Sequence, residues 1–193
     1  AAYHDLLDPE PGLTPDAQIE VMSFSLRHYH HASQARLERF SPLNIFSLSP
    51  MDSLSKVPSW KFNVGMNTIA HRDCQLCANG YLNGGVGGAV ESHLFGRQVY
   101  YAMAEVEANA SRAYEENHRI GGGGTVGLLA DLTDRWKLMA SGTYLRYALG
   151  DKSEDWRWSV GQRLTLFSNL AFRVEYHHRS HDNDVLATLH LYF

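Results

Sequence analysis

The sequence predicts an all-β protein: an antiparallel transmembrane β-barrel of about ten strands over residues 19–193, behind a linker at residues 1–18. Three observations predict it. Segment after segment alternates apolar and other residues with a period of two. The faces opposite the apolar ones carry recurrent charges, Lys61, Glu105, Glu107, Asp131, Arg157, Arg163, Arg173 and Glu175. The apolar faces together hold Trp60, Trp136, Trp156, Trp158, Phe172 and Phe193, too much aromatic volume for the lumen of a small soluble barrel without a cavity ligand. A soluble barrel keeps apolar residues inside, whereas a membrane barrel has an apolar outer band and a polar interior. The charges therefore form an inward network and the aromatics face lipid.

Residues 1–18 place Pro9, Pro11, Gly12 and Pro15 among acidic residues and read as a linker. The chain opens without Met or a basic, apolar leader. It reads as a mature chain or excised fragment, and the linker points to an upstream domain. Segments 19–29 and 34–45 are the least regular. Met22, Phe24 and Leu26 share one face of the first, and Pro42 interrupts the second, where proline fits only near a strand end or bulge. Trp60, Phe62, Val64 and Met66 then alternate with Lys61, Asn63 and Gly65. In 80–90, Leu82, Val86 and Val90 oppose Tyr81, Asn83 and Glu91, although Glu91 stands just past the segment. In 100–110, Tyr100 and small apolar residues oppose Glu105, Glu107 and Asn109.

The next segment, 120–132, sets Ile120, Val126, Leu128, Ala130 and Leu132 against Thr125, Gly127 and Asp131. In 136–148, Trp136, Leu138, Ala140, Gly142 and Tyr144 share a face with Arg146, which needs the strand's wet end. Segments 156–166 and 170–177 follow, joined by Ser168-Asn169, a hairpin-length connection. Trp60, Tyr100, Trp136, Phe167 and Phe193 are expected at one rim, and Tyr144, Trp156, Trp158 and Tyr176 at the other, as interfacial girdles. An even strand number puts both ends of the barrel on one side. Outer loops are then expected near 30–33, 70–78, 111–117, 149–154 and 180–183, and periplasmic turns near 46–58, 92–97, 132–135 and 168–169.

The last segment, 183–193, has Val185, Ala187, Leu189, Leu191 and Phe193 on one face and ends on the aromatic residue. It resembles the C-terminal strand of bacterial outer-membrane β-barrels. The resemblance implies that Leu189, Leu191, Tyr192 and Phe193 are an insertion signal read by the barrel-insertion machinery, in an integral outer-membrane protein whose first and last strands pair. More narrowly, Val57-Pro58-Ser59-Trp60, the Cys74/Cys77 pair and the glycine-rich strands after them are similar to the C-terminal barrel half of uncharacterised bacterial proteins with an Lnb-type periplasmic front domain. That likeness implies an anchor or scaffold for a periplasmic domain and carries no established activity.

The formal net charge of -4 gives no basis for nucleic-acid binding, and no run of about 18 apolar residues offers a transmembrane helix. His71-Arg-Asp-Cys74-Gln-Leu-Cys77 is expected in an outer loop. A lone CxxC lacks the second ligand pair of a zinc site and the helix N-terminus of a redox site, so a local disulfide is the plainer reading. His71, His178 and His181 are candidates for a divalent metal at the rim, set against the reading of tolerated interfacial histidines. No metal or cofactor is expected. A surface hydrolase would need a built site. Ser180 and His181 are only sequence neighbours, pointing oppositely in a strand, and the loops beside Asp182 and Asp184 are short. A narrow channel is the other alternative: inward Gly85, Gly87, Gly121, Gly123 and Gly127 leave room for a plug, a water path or bulky side chains opposite. Outward Gly84, Gly88, Gly122 and Gly124 leave a shallow groove. Outer-membrane lipid and the upstream domain are the expected partners, with docking at 1–18 and at the long turn 46–58.

Overall fold

A computed structural model describes residues 3–4, 7, 16–29, 34–51, 57–71, 74–94, 96–167, 170–179 and 182–191. One antiparallel sheet contains them nearly all. Its strands are β1 (Tyr3–His4), β2 (Ala17–Tyr29), β3 (Gln34–Ser47), β4 (Ser59–His71), β5 (Cys74–Ser92), β6 (Arg97–Ala110), β7 (His118–Thr133), β8 (Trp136–Gly150), β9 (Ser153–Phe167), β10 (Leu170–Arg179) and β11 (Asp182–Leu191). Each pairs with its sequence neighbour. Such a meander needs only hairpin connections, because antiparallel neighbours require no crossover. Among the described residues there is no helix.

The ten long strands curl into a half-barrel. Strands three apart in order touch through their inner faces: Phe46 of β3 meets Tyr101 of β6 with ring centroids 5.3 Å apart, and Arg157 of β9 reaches Glu107 of β6 at 2.7 Å. No ladder joins β2 to β11 among the described residues, so the expected closing pair is not part of the sheet. Instead β1 lies on the outer edge of β2, with Tyr3 opposite Glu20 and His4 opposite Ile19.

The expected linker is thus packed where it is described. Leu7 is 1% exposed, Asp16 is ion-paired to Arg97, and β2 begins at Ala17. A linker composition does not prevent a single leucine from finding an apolar site.

The inside-out pattern is plain on β6, where residues alternate buried and exposed from Val99 onward. Glu105 and Glu107 are each 4% exposed, while Val106 between them is 61% exposed. Outward apolar residues recur around the sheet, including Trp60, Phe62, Met66, Leu82, Val86, Val126, Val160, Leu164 and Phe172.

Phase is lost in the middle of β2 and β3, whereas the register shifts of the later strands lie toward their ends. Met22 has φ of +57° and stands in the register opposite Pro42. On the β1 side of this point Glu20 and Asn44 bond inside; beyond it Phe24 is exposed. The β3–β4 register also slips between Phe40 and Leu43. Met22 and Phe24, expected on one face, are both exposed, and the left-handed Met22 breaks the alternation on the β1 side of them; the side chain of Leu26 lies outside the described residues.

Two further expectations change. Cys74 opens β5 rather than sitting in a loop, and the β4–β5 connection shrinks to residues 72–73. The long turn after β3 is partly spent on the barrel: Leu48 is buried and Met51 donates its N–H to the Ala89 carbonyl at 2.9 Å. Met51 and Val57 nevertheless keep exposed side chains.

Candidate functional site: the lumen

The inner face carries a polar layer, an apolar layer and a row of charged residues in turn from one rim to the other. The layer toward the loops 111–117 and 151–152 is polar. Glu107 accepts from both terminal nitrogens of Arg157, at 2.8 and 2.7 Å, from Tyr147 Oη at 2.6 Å and from Asn109 Nδ2 at 2.9 Å. Arg157 Nε donates to Asp155 at 2.8 Å. Asn83 Nδ2 bridges Glu105 and Glu107, 3.3 Å from each, and Lys61 is ion-paired with Glu105. A buried carboxylate persists only when its lone pairs are satisfied, and the two carboxylates are ringed by donors.

The loop after β6 caps this layer. Tyr114 is buried, and the Arg119 guanidinium lies 4.8 Å from its ring centre and 4.0 Å from that of Tyr147, a cation–π sandwich. The hydroxyl of Ser111 donates to the Ala78 carbonyl at 2.8 Å and tethers the loop to β5.

The layer toward the opposite rim is apolar. Leu7, Leu48, Ala89, Val99, Tyr101, Met103 and Leu129 form one buried cluster, with Phe46 and Met139 against it. Glycine makes room for its largest member: a Cβ on Gly127 would lie 2.3 Å from the Tyr101 ring. Tyr81 occupies the space above Gly65 in the same way, since a Cβ there would lie 2.7 Å from its hydroxyl. Gly65 and Gly127 are thus filled by tyrosines from neighbouring strands, whereas a Cβ on Gly87, Gly121 or Gly123 would meet the main chain of the adjacent strand.

Below that cluster the inner wall carries a row of cations. Register aligns Arg97 with Asp131, Asp131 with Lys137, Lys137 with Arg163 and Arg163 with Arg173. Asp131 sits 3.3 Å from Lys137 and 3.8 Å from Arg97, and Arg173 is 2.7 Å from Glu175, which lies 3.7 Å from His177. Arg163, buried, donates from Nη1 to the main-chain carbonyl of Leu7 at 2.8 Å.

The eight charges expected inside are therefore found in separate groups rather than one network. Lys61, Glu105, Glu107 and Arg157 share the upper layer; Asp131, Arg163, Arg173 and Glu175 belong to the lower row. Sequence reasoning missed Arg97, Lys137, Tyr147 and Asp155, although each continues the inward phase of its strand. It also missed the apolar layer, and Leu7 gave no periodic signal at all. Cys74 and Cys77 are joined as a disulfide. His178 is on the outer face, 5.4 Å from Trp158 by ring centroids, with Nδ1 2.5 Å from Asn183 Oδ1. His71 ends β4 opposite Cys74, and His181 lies outside the described residues. Among the described residues no three His, Cys, Asp or Glu are grouped to hold a metal ion. Of the expected insertion signal, Leu189 and Leu191 pair with Phe172 and Leu170 on β10, while Tyr192 and Phe193 lie outside the described residues.

The chain belongs to the DUF7840 family, a domain of unknown function, whose profile matches residues 1–192. No curated protein and no solved structure matches it.

Proposed function

We propose that the chain is an integral bacterial outer-membrane β-barrel that anchors and positions a periplasmic domain lying upstream of residue 1, without chemistry of its own. The observation that carries this reading is the inversion of polarity: Glu105, Glu107 and Arg163 are buried while Val106, Val126 and Phe172 are exposed. In water that distribution has no driving force, because it strips charges of solvent and leaves apolar bands wet. In a bilayer both halves are favourable.

The girdles support the same reading. Trp60, Tyr100, Trp136 and Phe167 are exposed at the end where the turns lie. Tyr144 stacks near Trp156, and Trp158 near Tyr176, toward the other end, at centroid distances of 4.5 and 4.8 Å. From Trp136 to Tyr144 is about 26 Å along β8, or about 20 Å across the bilayer at a typical tilt. Hydrocarbon tolerates no unpaired sheet edge, so the part of the β2 edge beyond Glu20, which β1 does not cover, joins β11 in the bilayer, with both termini on the periplasmic side. The resemblance of residues 57–60 and of the glycine-rich strands to barrels behind an Lnb-type domain supplies the periplasmic partner.

The test is to express the whole chain behind a signal peptide and fractionate the cells. Recovery in the outer membrane, resistance to alkaline extraction and heat-modifiable mobility on gels are expected; release in the soluble periplasmic fraction would overturn the reading. Planar-bilayer recordings separate the anchor from the transporter alternative, since a lumen filled by tyrosines, ion pairs and Leu7 should hold conductance at the protein-free level.

A further inference from the structure

The lower lumen treats residues near the N-terminus as a ligand. Three features converge on that segment. β1 adds to the free edge of β2, the main-chain mode by which sheets capture extended peptides. The Leu7 side chain, 1% exposed, sits in a cluster of inward residues from β5, β6 and β7, reaching 3.7 Å from where a Cβ on Gly161 of β9 would stand. Arg163 grips the Leu7 carbonyl at 2.8 Å. An edge for backbone pairing, a pocket for one side chain and a buried donor for one carbonyl are the parts of a peptide-recognition site.

Charge complements shape. Arg97, Lys137, Arg163 and Arg173 fall in one register row with Asp131, and Glu91 and Glu175 stand beside Arg97 and Arg173 at 2.8 and 2.7 Å. The segment around Leu7 carries Asp5, Asp8 and Glu10, and Asp16 at its end is bound to Arg97, with Oδ1 2.8 Å from Nη1. Opposite charge steers a segment of this composition to such a wall.

We infer that the lower lumen is a peptide-binding socket, specific for a leucine-anchored segment, and that it is occupied in cis by Leu7, with β1 and Asp16 held on either side of it. Leu7 is the latch: while it is seated, the chain before it is held beside the lower lumen rather than on a free tether. The inference stands on contacts within the chain and goes beyond the anchor reading, since it holds whether or not the outer face meets lipid.

Because the segment is covalently attached, its effective concentration is of the order of millimolar, so free peptide cannot displace it at micromolar levels. The test therefore uses the full chain with Leu7→Asp, folded in detergent micelles, and a fluorescent synthetic peptide of residues 1–12. The peptide should bind this variant at least tenfold more tightly than it binds the wild-type chain. The same peptide carrying Leu7→Asp should bind at least tenfold more weakly, and raising salt should weaken the native peptide. Equal binding to both chains, equal binding of both peptides, or no binding up to millimolar peptide would each overturn the socket. A second measurement works in cis and needs no vacated site. Leu7→Cys should react with a polar maleimide at least tenfold more slowly than Leu94→Cys, whose parent is 79% exposed; adding Arg163→Ala should speed it. Equal rates for Leu7→Cys and Leu94→Cys would overturn the latch even in a chain that fractionates with the outer membrane.

Discussion

Glu107 is the most heavily bonded group of the inner wall, and its surroundings show what a buried charge demands. Arg157 and Tyr147 arrive from β9 and β8, Asn109 from its own strand. Arg157→Met removes the counter-charge and keeps much of the volume, leaving a carboxylate buried without its partner, which typically costs about 3–5 kcal/mol. Earlier thermal loss of the folded gel mobility is expected. The double change Arg157→Met with Glu107→Gln should recover most of that loss, because the uncompensated charge is gone. If the single and double variants melt alike, the ion pair is not what holds this layer.

A second residue-scale prediction concerns Gly127, over which the Tyr101 ring lies. Gly127→Ala places a methyl group within 2.3 Å of that ring, an overpacking that costs about 1–3 kcal/mol. Combining it with Tyr101→Leu should make the added methyl nearly neutral, a coupling read directly from a double-mutant cycle. Additive losses would mean that Tyr101 does not fill the glycine's space.

At the scale of the strand, the deciding quantity is depth rather than exposure. Val126, in the middle of β7, is 63% exposed and Leu149, at the end of β8, is 60% exposed. On a water-facing sheet an arginine at either position falls within about 0.5 kcal/mol of the parent. On a lipid-facing sheet Val126→Arg costs about 2–4 kcal/mol while Leu149→Arg costs about 0–1. Reversible unfolding from vesicles measures the difference, and equal small effects would remove the membrane reading. Arg146 agrees with the depth rule: its outward side chain is 74% exposed and lies 4.0 Å from Glu154 near the end of β8, where a cation remains at the wet rim.

The strand scale is also where sequence reading succeeded best and failed most instructively. From β4 to β10 the period of two located the strands and their inward charges, because one face is buried and a slip of one residue would invert every side chain. In β2 and β3 it did not, because Met22 and Pro42 break the phase and alternation carries no mark of a left-handed residue. The Cys74/Cys77 disulfide was expected in a loop; it sits in the first turn of β5, because the hairpin tightens to two residues.

For the whole molecule, assembly is the property at stake. Phe193→Asp puts a charge at the end of the strand that resembles an outer-membrane insertion signal. Loss of most outer-membrane protein, with accumulation of a degraded periplasmic form, is expected in cells; undiminished assembly would show that the terminal aromatic is not read. Closure is testable in the same cells. Pairing of the outer edges of β2 and β11 predicts that cysteines introduced at facing outward positions of these strands, scanned in register, crosslink under mild oxidation. Failure across the scan would leave the half-barrel open.

The sequence by itself determined the all-β class and the meander, which follow from local alternation and short connections, and the charged inner face, which follows from the aromatic volume of the opposite one. It carried no information on which inner residues meet across the lumen, because Arg157 and Glu107 are fifty residues apart and their approach depends on the curl of the intervening strands. Only the tertiary structure separated a polar upper layer from an apolar lower one, and only it placed Leu7 against Arg163. A lone leucine in an acidic, proline-rich stretch has no period to betray its burial; its site exists only once strands distant in sequence have wrapped around it.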